Sequence, residues 1–234
     1  MRICIISNSH AGALKHALDT EPALAQGHDI SFFASRGAKV SKFTLIDDVI
    51  STTDLASVRY ATGGKFTQIA PGDFDALVFY GIQLRFGHWL FPPEDADWGI
   101  ANASSAFRGE MIIEHLSNSM AVQFAYLVCA SPVWQAQVVV APSPVQAAPD
   151  IARSAPFPLD EINLAAATMC SGFGARFVPQ PKETLAATGF TYDRFAKGSL
   201  RLNEERAAHD DTERKHMNAA FGALILRDIL AALR

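Results

Sequence analysis

Two short stretches of the chain carry the side chains of nucleophilic chemistry. Near the start, Asn8-Ser9-His10 follows the apolar run Ile3-Cys4-Ile5-Ile6, so a hydroxyl sits where a strand would turn into a helix. Open α/β sheets bind ligands at the carboxyl ends of their strands, and a helix N-terminus offers backbone N–H groups to developing negative charge. Ser9 in that place is either a nucleophile whose own N–H helps hold an oxyanion, or the cap of a helix beginning near His10, an ordinary role for Ser. Far along the chain lies Glu213-Arg214-Lys215-His216. A carboxylate three residues before a His can accept its Nδ1–H, fixing the tautomer and leaving Nε2 free as a base. The same spacing also occurs as a plain pair on solvated helix faces. Asp210 and Asp211 are close enough to be alternative partners of His216.

Other residues gather around these two. Ser35-Arg36-Gly37 and Gly81-Ile82-Gln83 each follow a predicted strand. In both places Gly lets the backbone approach a ligand closely, and Gln83 can donate a side-chain amide hydrogen bond. His10 and Gly81 are candidate substrate contacts, as are Arg85 and His88, which suit an anionic group. Trp89, with Phe86, Phe91 and Trp98 around Pro92-Pro93, makes residues 84–99 an aromatic loop of the kind that borders ligand sites. Glu114-His115 is an exposed helical pair on the same reading.

The elements that must position these groups are legible in the apolar pattern. Short β-branched or aromatic runs bounded by turn residues predict strands over 2–6, 29–34, 76–80, 137–141 and 175–178. They are apolar on both faces, and helix-like segments separate them, which together indicate a parallel sheet covered on both sides. Helices are expected over 11–18, within 104–130 as one long element, over 159–170 and over 217–233. The last carries an apolar stripe at 221, 224, 225, 229, 230 and 233, suited to packing on the sheet. Residues 40–70 break the alternation and suit a hairpin or irregular strands over one edge. Residues 143–158, rich in Pro and Ala, read as a loop.

Composition narrows the function classes. The 234 residues are 49% hydrophobic and 19% charged, enough apolar surface for a packed core and the length of one domain over 1–234. Twenty basic against 24 acidic residues give a net charge of -4, which supplies no footprint for a phosphate backbone, so nucleic acid is not an expected partner. No stretch predicts a signal peptide or a membrane span. Three widely spaced cysteines, Cys4, Cys129 and Cys170, read as reduced thiols of a cytoplasmic protein. Residues 7–14 lack the glycine patterns of nucleotide-binding loops.

Taken in order, the four blocks resemble the SGNH hydrolases, the GDSL-like esterase and lipase superfamily. The resemblance implies a flavodoxin-like three-layer α/β/α sandwich with a five-stranded parallel sheet. It implies Ser9 as nucleophile, His216 as base, Glu213 as its partner, and an oxyanion hole of Ser9 N–H, Gly37 N–H and the Gln83 amide. Asn218 to Gly222 is similar to the His-x-Asn-x-x-Tyr-Gly continuation of bacterial SGNH-like proteins linked to surface polysaccharides. This chain departs from the pattern in three places: Asn8-Ser9 lacks the Gly-Asp lead, Gln83 stands for Asn, and Glu213 stands for Asp. The expected activity is hydrolysis of a short, acetyl-like ester on a small molecule or carbohydrate, with no metal or organic cofactor. An acyl- or glycosyl-transferase, or a non-catalytic accessory protein of polysaccharide synthesis, is the alternative on the same fold. A ligand-binding module in which Ser9 merely caps its helix is the third reading.

Overall fold

Strands with apolar side chains on both faces are stable only between two covering layers, and that demand organises the molecule. The computed structural model describes residues 1–87, 103–148, 158–202, 207–210 and 212–234. Its main sheet contains β1 (Arg2–Ser7), β2 (Asp29–Ala34), β6 (Ala76–Tyr80), β7 (Gln137–Ala141) and β8 (Arg176–Phe177). All four pairings are parallel, in the order β2-β1-β6-β7-β8. Counting only these five strands, that is the 2-1-3-4-5 order of flavodoxin-like sheets, whose ligand crevice lies where the order reverses, beside β1. β8 is shorter than the expected 175–178.

Alternation along the strands divides the core in two. Ile3 and Ile5 of β1 face one layer with Val78, Tyr80 and Val139; Cys4 and Ile6 face the other with Leu77, Phe79 and Val140. The first layer is built by α1 (Ala11–Thr20) and α6 (Ala219–Ala232), through Leu14, Phe221, Ile225 and Ile229. The second is built by α3 (Ser105–Ser117), α4 (Met120–Ala130) and α5 (Leu159–Gly172). The result is a three-layer α/β/α sandwich. Each fully buried Leu, Ile or Phe in these layers contributes about 2 kcal/mol of burial free energy.

Helices α3 and α4 replace the single long helix expected over 104–130. Asn118 ends the first, and the Ser119 hydroxyl accepts the N–H of Val122 to cap the second, so a local side chain captures the backbone and breaks an apolar pattern that runs straight through. The segment 40–70 forms a small antiparallel sheet of β3 (Phe43–Ile46), β4 (Val49–Thr52) and β5 (Gln68–Ile69), with α2 (Leu55–Thr62) between its last two strands. Phe43, Ile50 and Ile69 join the main core, so this sheet is an added wall of the same body. Cys4 and Cys170 are buried free thiols and Cys129 is half-buried. Among the described residues no helix is long and apolar enough to cross a membrane.

α6 packs backbone to backbone against α1. A Cβ placed at Gly222 would overlap the Ala13 carbonyl, so only glycine lets α6 lie directly on the α1 backbone. The approach matters because α1 begins two residues after Ser9 and α6 three residues after His216.

Candidate active site

The carboxyl ends of β1 and β6 are tied together before any catalytic group is reached. Ser7 Oγ donates to the Tyr80 carbonyl (2.8 Å), and Asn8 Nδ2 donates to the Gly81 carbonyl (3.2 Å). Asn8 Oδ1 in turn accepts the His10 N–H at 3.0 Å. This side chain, not Ser9, satisfies the backbone at the strand-to-helix turn. The helix cap position falls to His10, which offers no side-chain cap bond. The Ser9 hydroxyl is thereby left to face His216. His216 Nε2 lies 2.9 Å from Ser9 Oγ, and His216 Nδ1 lies 2.8 Å from Glu213 Oε2. The two ends of the chain, 207 residues apart, meet in one continuous hydrogen-bonded line.

Glu213 and His216 are not on a helix. They occupy an irregular turn before α6, and the Glu213 carboxylate builds that turn: Oε1 accepts the Lys215 N–H (2.8 Å) and Oε2 accepts the His216 N–H (2.9 Å). One side chain thus sets the backbone and orients the ring at once. Burial pushes the Glu213 carboxyl up, but those two N–H groups and the His216 ring outweigh it and hold it below its ordinary value. Asp210 accepts instead from the Thr212 N–H and hydroxyl, and Asp211 lies outside the described residues. Asn218 caps α6 through the Phe221 N–H, and its Nδ2 donates to the carbonyls of Arg194 and Lys197. That clamp fixes the turn against the preceding loop.

A histidine that sequence reasoning missed belongs to this group. The His209 ring stacks on His216 with centroids 4.2 Å apart and planes 8° from parallel, and its Nδ1 lies 4.0 Å from Glu213 Oε2. Burial, and next the His216 charge, lower its pKa. His10 stands on the other side, its ring 5.4 Å from that of His216. Burial, then the charges of His216 and Arg85, hold His10 down to about 3, and its buried Nδ1 has no hydrogen-bond partner among the described residues. His216 is therefore flanked by two imidazoles whose surroundings favour the neutral form. His209, Glu213 and His216 are also a set of metal-ligating types within 4.8 Å. Parallel rings do not aim their lone pairs at one point, and a single ion needs converging ligands; as arranged, the set suits stacking.

Ser9, His10 and His216 line a cavity of about 330 Å³ with Asn8, Gly37 and Arg85. Among the described residues the N–H groups of Ser9 and Gly37 donate to no protein acceptor. Its far wall at Val145 and Gln146 is anchored by buried Gln180, which accepts the Val145 N–H (2.8 Å) and donates to Thr184 and Thr191. Two expected residues sit elsewhere. Gln83, exposed, three residues past β6 and at a left-handed φ of 60°, lines a neighbouring cavity of about 190 Å³ with Asn118 and Ser119. Gly81 is buried beneath the cavity floor, its carbonyl taken by Asn8 and Ser143 and its φ of 75° demanding glycine. His88, Trp89, Phe91 and Trp98 lie outside the described residues.

No family model and no curated protein matches the chain. Among solved structures it is similar to the lipopolysaccharide acetyltransferase periplasmic domain of Salmonella ser. Paratyphi A, at 11% identity and TM-score 0.42, covering 99% of this chain and 83% of that one. An extracellular lipase from Streptomyces rimosus matches at 15% identity and TM-score 0.44, covering 99% of both chains. A structural-genomics protein from Lactobacillus plantarum matches at 15% and 0.39, covering 99% of this chain and 95% of that one.

Proposed function

We propose that the protein is a serine esterase of SGNH type that cleaves short-chain acyl esters, acetyl-like in size, through Ser9, His216 and Glu213. The observation that carries this reading is the unbroken line from Glu213 Oε2 through both ring nitrogens of His216 to Ser9 Oγ, at 2.8 and 2.9 Å. Hydrogen-bond reach for a nucleophile and its base is about 2.6–3.2 Å.

In the reaction, Ser9 Oγ attacks the ester carbonyl while its proton passes to His216 Nε2. The Oγ–C bond forms and the carbonyl electrons move onto oxygen. Collapse breaks the bond to the alcohol oxygen, which takes the proton from His216. Water, deprotonated by the same nitrogen, then attacks the acyl-serine and frees the acid. Glu213 keeps the Nδ1 tautomer and stabilises the imidazolium. The oxyanion is held by the Ser9 and Gly37 N–H groups, which line the cavity, while the Asn8 amide is spent on the Gly81 carbonyl and the His10 N–H and braces the loop that carries them. One such donor is typically worth ~3 kcal/mol. The cavity, at the small end of the roughly 300–1,000 Å³ of ligand pockets, suits a short acyl group. No step draws on a metal or organic cofactor.

Transfer of the acyl group to a hydroxyl other than water is the second reading, favoured by the adjoining cavity of about 190 Å³ that shares Arg85 with the first and could hold an acceptor, a carbohydrate above all. Intact-mass labelling with a fluorophosphonate tests the first reading. One adduct on the wild type, absent from Ser9→Ala and His216→Ala, is expected; folded wild type that takes no adduct overturns it. Acetylated sugar outpacing free acetate when a carbohydrate acceptor is present would favour transfer.

A further inference from the structure

The cavity has a charge that the chain as a whole does not. The protein carries a net charge of -4, yet the charged side chains lining the Ser9 cavity are Arg85 and Lys215, with no carboxylate among the described lining residues. Both are exposed, and neither makes an ion pair with a described residue. They differ in this from Arg2, Arg108 and Arg214, each of which faces a carboxylate within 3.2 Å. The nearest acid in sequence, Glu213, has its oxygens engaged by two backbone N–H groups and the His216 ring. Arg85 also stands in the wall between the two cavities, whose smaller member offers the neutral polar groups of Gln83, Asn118 and Ser119.

The two cations reach the cavity from different segments of the chain. Arg85 follows β6, five residues past its end, while Lys215 immediately precedes the base. A substrate with its ester carbon at Ser9 therefore shares its cavity with a cation from the loop after β6 and another from the turn that carries His216. Two cations that no described carboxylate pairs with, beside a neutral nucleophile, repel a cationic substrate and favour an anionic one.

We propose that Arg85 and Lys215 form an anion-recognition subsite, so that the preferred substrate is an acyl ester whose alcohol portion carries a negative charge, as a carboxylate or a phosphate. The inference rests on the acyl-ester reading of the same cavity. The anionic oxygens contact the guanidinium and the ammonium, and the polar remainder of the alcohol reaches past Arg85 into the smaller cavity. Guanidinium suits both anions, since its planar fork matches the oxygens of either.

Three matched esters test this: O-acetylated methyl glucoside, methyl glucuronoside and methyl glucoside 6-phosphate. Wild-type kcat/KM is expected to be at least tenfold higher for one of the charged pair than for the neutral sugar, and which one leads separates carboxylate from phosphate as the source. The preference is expected to shrink in 0.5 M NaCl and to fall towards unity in Arg85→Gln and Lys215→Gln, both surface changes that leave the core untouched. Turnover of all three esters at equal kcat/KM, or a preference that survives both substitutions, overturns the subsite while leaving the esterase intact. Calorimetric binding of the three deacetylated glycosides to the wild type reads the subsite without any catalysis. Tenfold tighter binding of a charged glycoside, lost in Arg85→Gln, supports the subsite even if no ester is cleaved and the acyl-ester reading fails; equal binding of all three overturns it.

Discussion

Glu213→Gln isolates the charge of the third member of the line. The amide keeps the length and shape of the side chain, so any loss comes from the missing charge and from one acceptor oxygen replaced by an N–H2 donor. In the native site the carboxylate stands 2.8 Å from His216 Nδ1, and both side chains are 23% exposed. Two unit charges at that separation interact by about 6 kcal/mol at an effective dielectric of 20, and partial exposure reduces this to about 4 kcal/mol. That attraction is absent while His216 is neutral and appears as it takes the Ser9 proton, so it acts on the transition state. At about 1.4 kcal/mol per decade, kcat on a neutral aryl acetate is expected to fall roughly 10³-fold with KM little changed. The assay is steady-state hydrolysis from pH 6 to 9, beside a thermal melt that reports the turn built on the same carboxylate. A variant that melts like the wild type and retains kcat within threefold would refute the assignment of Glu213 as the partner of the base.

Three further outcomes follow from neighbouring features. His209→Ala removes the ring stacked on the base and is expected to lower kcat about 3–10-fold, with His209→Phe restoring most of it, since an aromatic stack is worth about 0.5–1.5 kcal/mol; equal losses in both variants would mean that stacking is not what His209 contributes. His10 stays neutral in the fold down to about 3 while the unfolded chain takes a proton near 6.5, so as pH falls through that window the unfolded state binds more protons and stability drops. His10→Phe should remove about 2–3 kcal/mol of the loss between pH 7 and pH 4, read from urea midpoints at both; parallel losses in wild type and variant would contradict it. Gly222→Ala forces a methyl into the α1 backbone and is expected to cost about 3 kcal/mol, lowering the melting temperature by about 6–12 °C.

The parts of this molecule that could be read in the sequence are those where a side chain's type dictates its surroundings. Ile3 to Ile6 and Leu77 to Tyr80 have no polar face to give to water, so their burial between two layers follows, and with it the parallel sheet. Ser9 and His216 stand out only through the order of the four blocks, since each alone suits a helix cap or a solvated pair as well. Three-dimensional relations escaped. His209 carries no signal in its spacing from Ser9, and it reaches His216 through the backbone bond from its N–H to Ser199, which no pattern encodes. Gln83 fits a motif by order, yet it stands at a left-handed φ and lines the other cavity. Glu213 and His216 obey helical spacing without a helix, because a carboxylate that captures two N–H groups makes a tight turn of the same reach. The break at Asn118 and Ser119 was masked by an apolar pattern that runs through it.

The close seating of α6 on α1 also bears on when the site comes into being. Every strand of the main sheet precedes residue 178, whereas the base and its helix follow residue 213. Glu213 and His216 find each other across three residues, a contact that can form early; Ser9 and His216 must close a loop of 207 residues, and long loops close late. During synthesis Ser9 thus emerges first and waits beside a nearly finished sheet, with His216 still to come. Docking of α6 against Ala13 and Leu14 is the event that brings His216 to Ser9. A chain lacking that helix would hold Ser9 without His216 beside it, and on the proposed reading would take no fluorophosphonate.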